Sequence, residues 1–223
     1  MTTLTSYPFA LLLDRLFEQA EAASPMTDPA FAHVSAEERG RLMRSKTAYR
    51  EFYGALRDYP LAVSRETGRL LYMLARSARA RSIVEFGTSF GISTLHLAAA
   101  LQDNGGGHLI TTEFEPGKAA RARESLTAAG LIALVEIREG DALQTLKTDL
   151  PETIDLLLLD GAKALYPEIL GLVESRLRPG AFIVADNADY SPDYLEHVRS
   201  AAKGYMSTPF GGDVEVSVSV RVG

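Results

Sequence analysis

The sequence predicts one α/β domain built on a mostly parallel sheet with helices on both faces. Three observations predict it. From Arg81 onward, short apolar runs alternate with longer amphipathic segments, the pattern of repeated strand–helix–strand units. One run, Leu156-Leu157-Leu158-Leu159, has no polar alternation, as a strand buried on both faces requires. Glycines or acids follow the runs, where open parallel sheets bind their ligands.

Residues 1–79 read as a helical cap on the same domain, and 80–223 as the sheet-bearing part. Phe9, Leu12, Leu13, Leu16 and Phe17 recur at helical spacing after Pro8. Ser24-Pro25 and Asp28-Pro29 then break the chain. A second helical stretch carries Leu42, Met43, Tyr49, Phe52 and Leu56 and stops before Pro60. A third starts near Ser64, with Leu70, Leu71 and Leu74 on its apolar face and Ser64 with Thr67 as an incomplete capping box. Phe9, Phe17 and Phe31 look exposed, so the front is expected to support a homodimer or to close over a site.

Strands are expected at 82–86, 109–114, 134–138, 154–160 and 181–186, with helices at 93–101, 117–129, 142–150, 165–177 and 192–200. Two last strands fall at 205–210 and 214–220. Gly211-Gly212-Asp213 between them predicts a tight turn and an antiparallel pair.

Composition narrows the function. The net charge is −6 with both signs mixed along the chain, and no basic run exists to neutralise phosphates, which argues against a nucleic-acid partner. There is no cysteine, so disulfides and thiolate chemistry are excluded. The first residues lack a signal-peptide pattern, and no apolar run is long enough to span a bilayer. A cytoplasmic protein without membrane attachment is expected.

The strand ends carry the candidate chemistry. After the first run comes Glu85-Phe86-Gly87-Thr88-Ser89-Phe90-Gly91-Ile92-Ser93. Gly87 permits a sharp turn close to a ligand, Gly91 is expected to let the helix pack near the strand, and the Ser93 hydroxyl is expected to be free to donate. The G-x-x-x-G spacing departs from the dinucleotide pattern G-x-G-x-x-G. Glu113 ends the second run and is either a ribose-binding carboxylate or a solvated acid. Asp141, followed by Ala142, either caps the next helix or lies beside an adenine amino group.

Asp160 ends the fourth run; Asp186 and Asn187 follow the fifth. Two carboxylates and an amide oxygen suit a hard cation such as magnesium; singly, Asp160 reads equally as a helix cap and Asp186-Asn187 as a turn. None of His33, His96, His108 and His197 clusters with another at ligand spacing. Lys163 lies three residues after Asp160. Beside a divalent cation its pKa is expected to fall, so that it can take a proton from a hydroxyl.

From about Ser64 onward these residues resemble the S-adenosylmethionine-dependent, cation-dependent O-methyltransferases, which include the catechol and caffeoyl-coenzyme A enzymes. The resemblance rests on Val84-Glu85-Phe86-Gly87-Thr88, Gly91-Ile92-Ser93, Thr112-Glu113, Gly140-Asp141-Ala142, Asp160, Lys163, Asp186-Asn187 and the segment 192–199. It implies a Rossmann-like class I methyltransferase fold with seven strands, the last antiparallel. It implies S-adenosyl-L-methionine held by Glu85, Gly87, Ser93, Glu113, Asp141, Ala142 and Asp160, and a divalent cation held by Asp160, Asp186 and Asn187. Lys163 falls at the family's general base, and the acceptor is a small hydroxylated molecule. Gly161-Ala162 replaces bulkier residues beside the catechol substrate. The acid that holds the second catechol hydroxyl has only Asp213 and Glu215 as candidates. The competing classes are a nicotinamide-dependent oxidoreductase, a non-catalytic binding protein on the same fold, and a metal-free nitrogen or carbon methyltransferase.

Overall fold

The computed structural model describes residues 2–23, 25, 34–211 and 216–222. His33, Phe31, Asp213 and Glu215 lie outside them, as does most of the expected turn at 211–213. Four helices come first: α1 (Phe9–Ala22), α2 (Ala36–Met43), α3 (Tyr49–Ala55) and α4 (Arg65–Ser77). The alternating part follows as β1 (Ser82–Phe86), α5 (Ile92–Asp103), β2 (His108–Glu113), α6 (Pro116–Ala128), β3 (Val135–Glu139), α7 (Ala142–Thr145), β4 (Ile154–Leu159), α8 (Tyr166–Val173) and β5 (Leu177–Ala185). Then come α9 (Pro192–Val198), β6 (Tyr205–Phe210) and β7 (Val216–Arg221).

Among the described residues the strands form one seven-stranded sheet in the order β3-β2-β1-β4-β5-β7-β6. β1 to β5 run parallel; β7 is antiparallel to both β5 and β6. This is the predicted fold class, and the antiparallel final pair is also as expected.

The period-two geometry of strands divides the core. Ile83, Leu109, Leu156 and Leu158 pack with α4 and α5 through Leu71, Leu95, Leu97 and Leu101. Val84, Phe86, Leu157, Leu159 and Ile183 face the other way, onto Tyr166, Ile169, Leu170 and Tyr194. All four leucines at 156–159 are fully buried. Each contributes about 1.5–3 kcal/mol relative to an exposed side chain, so β4 anchors both faces.

Several boundaries differ from the sequence expectation. The second helical stretch is two helices, because the Ser45 hydroxyl accepts the amides of Thr47 and Ala48 and turns the chain between α2 and α3. The helix expected at 142–150 stops at Thr145. Arg138 reaches across to bond the carbonyls of Thr145, Thr148 and Asp149, a tertiary contact that periodicity does not report. β5 starts at Leu177, four residues early, and the β4 pairing shifts register between Ile154 and Leu156 to admit Pro179-Gly180. The close approach at Gly91 is to α6, not to a strand: a Cβ there would lie 3.3 Å from the Ala122 Cα. Ser64 caps α4, its hydroxyl accepting the Thr67 amide at 3.0 Å. Phe9 and Phe17 are buried rather than exposed, because α1 packs its apolar face onto the body of the domain; they offer no surface for a homodimer. Among the described residues no helix is long and apolar enough to cross a membrane.

Asp155 ties the lower edges of the central strands together. Its carboxylate accepts the amides of Arg81 (2.7 Å) and Ser82 (2.9 Å) and pairs with Arg178. Burial disfavours its charge, but Arg178 and the two amides outweigh this and hold the carboxyl below the usual range. Because the folded value is depressed, the stabilisation is present above the unfolded value of about 3.9 and lost as pH falls through the lower folded value. Asp155→Ala is expected to cost about 2–4 kcal/mol at pH 7. Urea unfolding of both proteins at pH 7 and pH 3 should show the gap narrowing in acid.

Candidate active site

The turn after β1 is built around glycine. Gly87 has φ +100°, and a Cβ there would sit 2.6 Å from the Gly161 nitrogen. β1 and β4 therefore approach closely at their carboxyl ends, and any side chain would push them apart. Beneath the turn Glu85 is fully buried. The hydroxyls of Ser93 and Thr94 donate to its two carboxylate oxygens at 2.6 Å each. Burial pushes the Glu85 carboxyl up, and these hydroxyls only partly offset the rise. Ser93 is thus not free to donate elsewhere. The pair fastens the start of α5 to β1 and leaves the turn to face a ligand.

A cavity of about 240 Å³ opens beyond the strand ends. Gly87, Glu113, Asp141, Ala142 and Asp160, five of the residues expected to bind the cofactor, line it; Glu85 and Ser93 lie behind its wall. Glu113 accepts the amides of Ser89 (2.8 Å) and Glu115 (3.0 Å), one on each oxygen. A carboxylate oxygen carries two lone pairs, so each keeps one for a diol. Burial raises the Glu113 carboxyl against these amides and the nearby Lys118. Asp141 caps α7 by accepting the Leu143 amide at 2.9 Å, while its other oxygen pairs with Arg50 at 2.7 Å.

Asp160 and Lys163 lie at the end of β4, and Asp186 at the end of β5. The Lys163 Nζ is 2.8 Å from Asp160 Oδ1 and 3.6 Å from Asp186 Oδ2. The ammonium therefore offsets the repulsion that two neighbouring carboxylates would otherwise feel. Burial disfavours the Lys163 charge, but Asp160, with Tyr166 and Asp186, outweighs it and holds the amine well above the ordinary lysine range. Here the carboxylates act on the lysine directly; the lowering expected of Lys163 concerns the site with a divalent cation beside it. Burial raises the Asp160 carboxyl, Lys163 opposes and Asp186 adds to the rise. Asp160 is not a helix cap; its oxygen goes to Lys163. Asn187 follows Asp186 in the left-handed conformation, φ +51°, and turns the chain away from the sheet. His96 is buried in α5 against Phe17, far from any ligand role.

Sequence reasoning missed the roof. Tyr49, Arg50 and Tyr53 from α3, with Leu61, line the same cavity, and Lys118 lies on its wall. The available signal was the i, i+4 spacing of Tyr49 and Tyr53 on one helix face; in the sequence reading Tyr49 was named in its helical stretch and Tyr53 was not singled out. Lys118 had no signal: it is buried in the first turn of α6, beside the buried Ala119 and Ala122.

Residues 84–188 match the family model described as a methyltransferase domain. The chain is 38% identical over 130 residues to a catechol O-methyltransferase from Niastella koreensis, a match covering 57% of this chain and 58% of that protein. It is 34% identical over 167 residues to catechol O-methyltransferase B from Danio rerio, over 71% of this chain and 62% of the relative. The chain thus spans about three fifths of the length of these curated relatives. Among solved structures, the O-methyltransferase TomG from Streptomyces achromogenes, involved in tomaymycin synthesis and solved in complex with SAM, superposes with a TM-score of 0.65. That match is 28% identical and covers 92% of this chain and 99% of TomG. The chain is similar to S-adenosylmethionine-dependent O-methyltransferases of the catechol type, as its strand-end motifs predict.

Packing keeps position 161 without a side chain. A Cβ there would lie 2.6–2.7 Å from the Phe86 ring, which packs edge-on against Tyr166. The phenylalanine fills the space that a larger residue at 161 would need. Gly161→Ala alone should cost about 1–3 kcal/mol by overpacking. Combined with Phe86→Leu it should cost less than the sum of the single changes. Thermal melting of the three variants checks this; strict additivity would mean the ring and the glycine are independent.

Proposed function

We propose that this chain transfers the methyl group of S-adenosylmethionine to one hydroxyl of a small, catechol-like acceptor. The observation that carries this reading is the position of Asp160. It lines the cavity that Glu113 and Gly87 also line and belongs to the Asp160–Lys163–Asp186 cluster at adjacent strand ends. A nucleoside site and a proton-handling site thus share one residue.

Glu113 offers a free lone pair on each oxygen to the ribose hydroxyls, and the Gly87 turn lets the methionine part approach the backbone. Asp141 and Ala142 border the adenine end. In this reading Lys163 takes the acceptor proton as the acceptor oxygen bonds the methyl carbon and the carbon–sulfur bond breaks, leaving the thioether product. Holding both reactants at one spot lowers the barrier by about 7 kcal/mol or more.

The donors at the strand ends fit a hard divalent cation: two carboxylates and the Asn187 amide oxygen, on adjacent strand ends. When bound, such an ion would lower the pKa of the acceptor hydroxyl. Asp160 and Asp186 would then share their charge with it and hold Lys163 less firmly as an ammonium, freeing it as a base. Magnesium suits this oxygen set.

The test is a methyl-transfer assay on catechols with and without a chelator. Activity is expected to vanish with chelator and return with magnesium. Lys163→Ala should lower kcat by about 10²–10⁴-fold with S-adenosylmethionine affinity near normal, and Asp160→Ala should abolish the cation-dependent rate. Full rates in chelator would favour a metal-free methyl transfer. Calorimetric heat with a nicotinamide dinucleotide and none with S-adenosylmethionine would sink the reading altogether.

A further inference from the structure

The cavity roof contains a buried hydroxyl with no acceptor for its proton. Tyr53 lines the cavity from α3; its hydroxyl is buried, the Lys163 backbone amide is the donor beside its oxygen, and its own O–H meets no acceptor among the described residues. The other tyrosine of the roof is different: the Tyr49 hydroxyl accepts the Arg50 Nε–H at 3.1 Å. Tyr166, on the far side of the cluster, donates its hydroxyl to the Asp186 carbonyl at 2.7 Å. Tyr53 is therefore the cavity-lining phenol whose O–H is left for a ligand. A buried O–H without an acceptor is costly, and such a group in a cavity marks where a bound molecule supplies the acceptor.

Its surroundings say which molecule. The Tyr53 hydroxyl lies in the field of Lys163, Asp160 and Asp186, so it faces the end of the cavity where the acceptor hydroxyl must lie, not the adenine end at Asp141. The walls there are flat and apolar: Phe86, Leu165, Ala162 and the bare backbone of Gly161. An aromatic acceptor lying between them would have one oxygen near Lys163 and its neighbour toward the roof.

We propose that the Tyr53 hydroxyl binds the second oxygen of the acceptor, the one adjacent to the oxygen that is methylated. This deepens the methyltransferase reading and rests on it. A phenol both donates and accepts, so Tyr53 selects a vicinal oxygenated arene over a simple phenol without adding negative charge beside Asp160 and Asp186.

The test is a two-by-two comparison of binding, wild type against Tyr53→Phe and catechol against phenol. It is measured by calorimetry with S-adenosylhomocysteine and magnesium present. The substitution keeps the ring and removes only the hydroxyl, so the melting temperature should change little. Catechol affinity is expected to weaken about tenfold, the size of one hydrogen bond to a neutral group, and phenol affinity by less than about twofold. KM for catechol should rise in the same proportion. Equal weakening for both ligands, or none for catechol, overturns the assignment of Tyr53. Binding of S-adenosylhomocysteine to the wild type is titrated first; its absence overturns the methyltransferase reading itself and is thus distinguished from failure of the Tyr53 assignment.

Discussion

The cavity depends on three parallel strands ending at one level. β1, β4 and β5 stay in register to their last residues, with Phe86 opposite Leu159 and Leu159 opposite Ala185. The next amides continue the ladder, Asp160 N–H to the Phe86 carbonyl and Asp186 N–H to the Leu159 carbonyl. Asp160 and Asp186 consequently leave the sheet side by side. A one-residue slip of β4 would send its leucines and Asp160 to the opposite face, and four buried leucines resist that slip. Packing in the core therefore sets the geometry of the charges at the edge.

The buried acids at this edge differ in what their oxygens have left to offer. Glu85 has both oxygens engaged by Ser93 and Thr94, which makes it a brace for the turn. Glu113 gives one lone pair per oxygen to backbone amides and keeps the rest. Asp160 meets Lys163 through one oxygen. A carboxylate without donors would be neutralised in such apolar surroundings. The protein supplies enough donors to keep each group oriented, and the unsatisfied remainder faces the cavity. The same logic singles out the Tyr53 hydroxyl in the roof.

The roof itself is fastened lightly. Arg50 pairs with Asp141 and Lys46 with Glu168 across its margins, and both pairs are largely exposed, so each contributes little. The Leu61 amide adds one bond to the Ser89 hydroxyl. Below it β1, β2 and β4 are almost wholly buried and have a neighbouring strand on both sides. Local opening is least costly where apolar contacts are few and ion pairs are wet, so α3 is held less firmly than the sheet below it.

The order of elements, the parallel sheet with its antiparallel last pair and the strand-end residues were legible in the sequence, because apolar period and the glycines and acids after each run are local properties of the chain. Periodicity placed Asp160, Glu113 and Gly87 at strand ends, and the sheet brought those ends together as such sheets must. Tertiary structure decided what no local pattern carries. Arg138 capped carbonyls from another segment and ended α7 early. Ser93 was turned to Glu85, eight residues back in the chain, once both were buried. Lys163 was brought within reach of two carboxylates, Asp160 and Asp186. Tyr53 was laid over a cavity that Asp160 and Gly161, more than a hundred residues on, also line. Such contacts follow no helical or strand period, and their partners are chosen by burial and distance, which exist only after the strands have packed.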